Sequence, residues 1–181
     1  MAIQHAPCNE ATRRVCTDAL GEMFGCGGLH DEFSLPAFVI GLEQCSEEGC
    51  KKAMVEHAGY KYLAVDSGGK STLCDVDESP DRLETGCVAM GAQADLVMEM
   101  VKNLDRYEEA EEGDYEVRWL SVPGLLVEGF WLKSGSEEKS CLVIPVAPLA
   151  EELQTKPVFD LSEFVSIIET LATERMRHSD L

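Results

Sequence analysis

YKYLAVDSGGKSTLCDV, residues 60–76, has two readings, and the choice between them decides the fold. From Ala64 to Ser71 it is one residue short of the phosphate cradle G-x-x-x-x-G-K-[ST], with Ala64 in place of the first glycine. That cradle needs a strand, a loop of inward-pointing amides, and then a helix whose N-terminus meets the phosphates. YKYLAV suits a strand, being rich in aromatic and β-branched residues, with Lys61 between two tyrosines. STLCDV does not suit a helix, and Pro80 follows closely. Asp66, Asp75, Asp77 and Glu78 would repel a phosphate. The other reading is a β-hairpin whose turn uses Gly68 and Gly69 for positive φ. We expect the hairpin, and nucleotide binding at Lys70 is the lesser reading.

The segments on either side support a sheet flanked by helices. Asn9 is placed to cap a helix reaching about Gly25, with Ala11, Val15, Ala19 and Met23 as its apolar stripe. Ser34 and Pro36 read as the start of a second helix, and Ser46 as the cap of a third. In that third helix Cys50, Ala53, Met54 and His57 share a face, and His57 is expected to be packed. Ser79-Pro80 resembles a further helix start, running to about Tyr107, although Gly86 and Gly91 weaken its first half.

Beyond the charge run EEAEEGD at 108–114, three strands are expected in YEVRWLSV, LLVEGFWLK and SCLVIPV. GSEEK is a turn, and Pro123-Gly124 calls for a bulge or a wider loop. Asp160, with Glu163 three residues on, reads as a capping box for a last amphipathic helix. The fold class that follows is α+β: helices packed on a mainly antiparallel sheet, ending in a β-meander and an amphipathic helix. A chain of 181 residues fits a single domain, with 108–114 as the one plausible subdomain boundary.

The formal net charge of −19 comes from 34 acidic against 15 basic residues. That excludes nucleic-acid binding driven by phosphate contacts, which needs clustered Lys and Arg. It also disfavours an anionic membrane surface, and it favours a basic partner or a cation. No stretch reaches the roughly 18 apolar residues of a membrane-spanning helix. MAIQHAPCNEATRR lacks the pattern of a signal peptide, so a cytoplasmic location with reduced cysteines is expected.

Candidate sites follow from residue chemistry. Cys26, His30, Cys45 and Cys50 are the one Cys/His set that suggests tetrahedral zinc, and their spacings are loose. The eight cysteines include no C-x-x-C. The acidic loop from Asp75 to Asp81 imitates a calcium loop but has Pro80 where glycine is required and Gly86 where the bidentate glutamate belongs. Cys74 stands beside Asp75, whose charge disfavours a thiolate. Trp119, Phe130 and Trp131 lie on aromatic strands, and alternation places Phe130 and Trp131 on opposite faces. If one face is open, these aromatics serve as partner anchors beside Glu108, Glu109, Glu111 and Glu112. The alternative is that helices cover both faces.

The expected function is therefore a non-enzymatic acidic binding protein, of adaptor, inhibitor or immunity type, that recognises a basic protein surface. It needs no cofactor. The rival is a metal protein or enzyme using the zinc set or the acidic loop.

Overall fold

A computed structural model describes residues 10–25, 28–54, 56–79, 82–107, 115–135, 141–146 and 148–179. Among these residues it is an α+β fold of four helices and eight strands. In chain order the elements are α1 (Glu10–Phe24), β1 (His30–Val39), α2 (Glu47–Ala53), β2 (Gly59–Val65), β3 (Ser71–Ser79) and β4 (Arg82–Met90). There follow α3 (Ala92–Lys102), β5 (Tyr115–Val122), β6 (Val127–Ser134), β7 (Leu142–Val146), β8 (Phe159–Asp160) and α4 (Leu161–Ser179). All strands join one sheet in the order β4-β3-β2-β1-β5-β6-β7-β8. Every ladder is antiparallel except β1–β5, which is parallel and spans only Ala37–Val39 against Trp119–Ser121. Among the described residues no helix is long and apolar enough to cross a membrane.

The hairpin expected at residues 60–76 is present, since β2 and β3 pair from Gly59↔Asp77 to Val65↔Ser71. Its turn is closed by Asp66. The Asp66 carboxylate accepts from the amides of Gly68 and Lys70 at 2.8 Å each, and the Gly69 amide donates to the Asp66 carbonyl at 2.9 Å. Gly69 sits at φ +79°, where a side chain is disfavoured. The amides that a phosphate would need are already bonded to a carboxylate, and a strand follows the loop.

Two expected helices are strands. The segment around Ser34 and Pro36 is the middle of β1. Proline is tolerated there because the β1–β5 ladder begins only at Ala37, so no partner on that side asks for the missing N–H. The helix expected from Ser79-Pro80 is replaced by β4, and α3 starts only after Gly91, at φ +90°. The part of that stretch with firm helical spacing, Val97 and Val101 among it, is the part that is helical.

Smaller corrections concern the caps and stripes. In α1 the buried stripe is Thr12, Cys16 and Leu20, one position away from the expected one. Cys16 behaves as a small apolar residue. Ser46 caps α2 by accepting from the Gly49 amide at 3.2 Å, as expected. His57 lies past the end of α2 instead of on it. Asp160 ends β8 and stands immediately before α4, the position expected of its cap, and Glu163 pairs with Lys156. Pro123-Gly124 forms a wider 3-10 turn that leaves through Leu126 at φ +55°.

Helices lie on both faces, with three buried clusters between them and the sheet. On one face α3 packs on Leu63, Val65 and Leu73, and the cluster continues through Trp119, Phe130 and Ile144. On the other, α1 covers Tyr62, Ala64, Cys74 and Val76, while α2 and α4 cover Phe38, Leu120, Trp131 and Val143. Burying one large apolar side chain contributes about 1.5–3 kcal/mol. Packing of the sheet against helices, more than intrinsic helix propensity, therefore holds the layers together.

Candidate functional site

Alternation along β5 sends Arg118 and Trp119 to opposite faces of the sheet. Each belongs to a cluster built around a buried cation.

On the α3 face the cation is Lys61. It stands opposite Asp75 in the β2–β3 ladder and bonds its carboxylate at 2.5 Å. Its Nζ lies 3.6 Å from Glu128 and 4.9 Å from the centre of the Trp119 ring. On β1, Leu35 stands opposite Lys61, and Ala37, two residues on, stands opposite Trp119, so the lysine reaches the ring diagonally across β1. Only 7% of the Lys61 side chain is exposed. A lysine this deep requires a partner, because an unpaired charge loses its hydration without compensation. Two carboxylates and an aromatic face supply it. Asp77 projects on the same face as Asp75, two residues on, with Val39 and Ser121 at the same end of the sheet. Lys61, Asp75, Asp77 and Glu128 together carry a net charge of −2.

On the opposite face the cation is Arg118, 14% exposed. Its guanidinium lies 4.8 Å from the Phe38 ring centre and 4.9 Å from that of Trp131. Glu116 holds it in a fork, with Nε to Oε1 at 3.0 Å and Nη2 to Oε2 at 2.9 Å. The arginine forms part of the floor of a cleft of about 420 Å³ lined also by Pro36, Phe38, Met54, His57, Tyr60 and Lys133. The cleft opens where α1 stops covering the sheet and α2 and α4 begin. His57 Nδ1 meets Glu78 at 2.8 Å, and its ring packs edge-on against Phe38 and Tyr60. His57 Nε2 is buried without a hydrogen-bond partner.

A second groove, of about 590 Å³, runs between α2 and α4 past Cys50, Met54, Asp160, Val165 and Glu169. Its thiol is inert. Burial, with Cys45 nearby, pushes Cys50 up to about 11, and Cys45 is raised by burial and by Glu43. Both thiols donate to carbonyls, Cys50 to Gln44 at 3.5 Å and Cys45 to Gly41 at 3.3 Å. Neither is poised as a thiolate ligand or nucleophile.

The expected zinc set does not assemble. His30 opens β1 and Cys45 follows its far end, and a strand of 10 residues spans roughly 30 Å. Zinc holds its ligands within about 2.3 Å. Cys26 lies outside the described residues. Among the described residues no group of three or more His, Cys, Asp or Glu is placed to hold a metal. The acidic loop is corrected too. Asp75 and Asp77 lie on β3, which pairs with β4 as far as Ser79↔Arg82. Asp81 is outside the described residues.

The aromatics expected as partner anchors are core residues: Trp119, Phe130 and Trp131 are all buried. Each is packed into an apolar cluster on the sheet, Phe130 edge-on to Trp119, which leaves the two tryptophans to serve as plates for Lys61 and Arg118. Glu108, Glu109, Glu111 and Glu112 lie outside the described residues. Sequence reasoning passed over Arg118, Lys133 and Lys61 as site residues. Lys61 and Arg118 are cations at apolar-flanked strand positions, and that signal was present in YKYLAV and in YEVRWLSV; Lys133, followed by Ser134, carried no such signal.

Comparison with protein-family models, curated proteins and solved structures finds no match to this chain.

Proposed function

We propose that this protein is a non-enzymatic binding protein whose acidic surface meets a basic protein partner, as an adaptor, inhibitor or immunity-type protein does. One observation carries the reading. At the end of the α3 face, Asp75 and Glu128 flank a single buried lysine, Asp77 lies on the same face, and Val39 beside them is 43% exposed. Asp75 and Glu128 are 40% and 38% exposed, so their outer oxygens reach solvent while Lys61 fixes their positions. Held carboxylates around an exposed aliphatic side chain suit the arginine or lysine of a partner, because the ordering cost is already met in the free chain. The net charge of −19 adds long-range attraction, which raises the association rate and makes it sensitive to salt.

The test is affinity capture with wild type and with an Asp77→Lys, Glu128→Lys double variant, followed by elution with salt. Basic partners that are released by salt and lost in the variant are expected. Capture that is indifferent to salt, or retained by the variant, overturns the reading.

A further inference from the structure

The cleft around Arg118 has the opposite character to the acidic end, and its chemistry goes beyond binding a basic partner. Two side chains, Arg118 and Lys133, bring unused donor capacity to it. Arg118 has five N–H donors, of which Glu116 takes two. The guanidinium lies over the edge-to-face pair of Phe38 and Trp131 and is forked by Glu116, so its remaining donors point from a fixed position. Lys133 lines the same cleft and makes no ion pair with any described residue. His57 turns one ring nitrogen to Glu78 and leaves the other, Nε2, buried and unpartnered. The remaining lining is flat or apolar: Phe38, Tyr60, Pro36 and Met54. At about 420 Å³ the space falls within the range of small-molecule sites.

We propose that this cleft binds a small organic anion: a carboxylate or phosphate head on a planar apolar body. The head lies between Lys133 and the free edge of Arg118, and the body rests against Phe38 and Tyr60. Glu116 and Glu78 do not exclude it, because each is engaged by a cation or ring nitrogen of the cleft itself.

Phenyl phosphate, benzoate, inorganic phosphate and benzyl alcohol are the probes, titrated into the intact protein by NMR and calorimetry. The Trp131 indole signal, beneath Arg118, is the reporter. Phenyl phosphate or benzoate is expected to shift it saturably, with benzyl alcohol at least about tenfold weaker for want of a charge. Inorganic phosphate is expected to be weaker by a similar factor for want of a ring. The tighter of the two aromatic anions identifies the head group, and either order supports the site. Lys133→Gln, a change at a partly exposed position, is expected to weaken binding about tenfold while the fold is kept. Asp77→Asn, on the other face, is expected to leave affinity unchanged. The proposal is overturned if neither aromatic anion shifts Trp131 saturably, or if Lys133→Gln binds within about twofold of wild type.

Discussion

Lys61 and Arg118 are buried cations on opposite faces of one sheet, and they are handled differently. Lys61 receives two carboxylates, with a third, Asp77, close by on the same face. Arg118 receives one carboxylate, and its neighbours in the cleft are a lysine and a histidine. Both lie over tryptophan, but Lys61 has one aromatic plate and Arg118 has two. The lesson is that the same device, a cation fixed over an aromatic ring, gives an acidic surface or a balanced one according to the count of carboxylates around it. A compact ammonium needs strong local anions to leave water. A weakly hydrated guanidinium tolerates stacking and keeps donors to spare.

The plates should matter most. Trp119→Ala removes the ring beneath Lys61 and opens a cavity in the central cluster, and it is expected to destabilise by about 3–5 kcal/mol. Trp131→Ala does the same beneath Arg118, and a similar loss is expected. Denaturant unfolding checks both. If Trp119→Ala costs under about 1 kcal/mol, Lys61 does not depend on its plate.

Removing the cations separates the two cases. Lys61→Ala is expected to cost about 3 kcal/mol, because stem packing and the pairing of two carboxylates are lost together. Lys61→Met keeps the stem and should cost only about 1 kcal/mol, since Asp75 and Glu128 regain water at their half-exposed positions. Arg118→Ala is expected to cost about 2 kcal/mol, from the lost stacking on two rings. Equal losses for Lys61→Met and Lys61→Ala would mean that pairing, not packing, holds Lys61.

A pH effect of smaller size arises beneath α4. Cys50 is raised from its ordinary value near 9 to about 11, so the folded state favours the thiol. The contribution is complete below the unfolded value and is lost as pH rises through about 11. Between about pH 9 and 11 wild type should lose thermal stability faster than Cys50→Ala. Parallel curves for the two proteins would show that Cys50 is not the titrating group.

Much of this architecture was legible beforehand. Two glycines after a β-rich run, followed by another β-like run, were enough for the β2–β3 hairpin. The meander and the stripe Phe164, Val165, Ile168 and Ala172 were equally clear, because each keeps one period throughout. The strand through Pro36 was misread because local rules place Ser-x-Pro at a helix start. Its tolerance in a central strand depends on where the β1–β5 ladder begins, which is a property of the tertiary fold. The β4 segment was misread because two glycines and a proline look like a damaged helix when the β3 partner is unseen. The cationic cleft was illegible for a related reason. Pro36, His57, Arg118 and Lys133 come from four separate segments, and their meeting requires the β1–β5 crossover.

The finest distinction between the two faces is electrostatic. Asp77 has no counter-ion among the described residues and shares its face with Asp75 and Glu128. Asp77→Asn should therefore relieve repulsion and raise stability by a few tenths of a kcal/mol at low salt, an effect that fades as screening shortens the range of the charges. Lys133→Gln removes a cation from a chain of net charge −19 and should lower stability by a similar few tenths, also fading with salt. Opposite signs at low salt that converge at high salt are the expected pattern in paired unfolding curves. If Asp77→Asn were neutral or destabilising at low salt, the acidic end would be self-compensated in the free chain. The carboxylates around Lys61 would then hold no unmet charge to offer a basic partner.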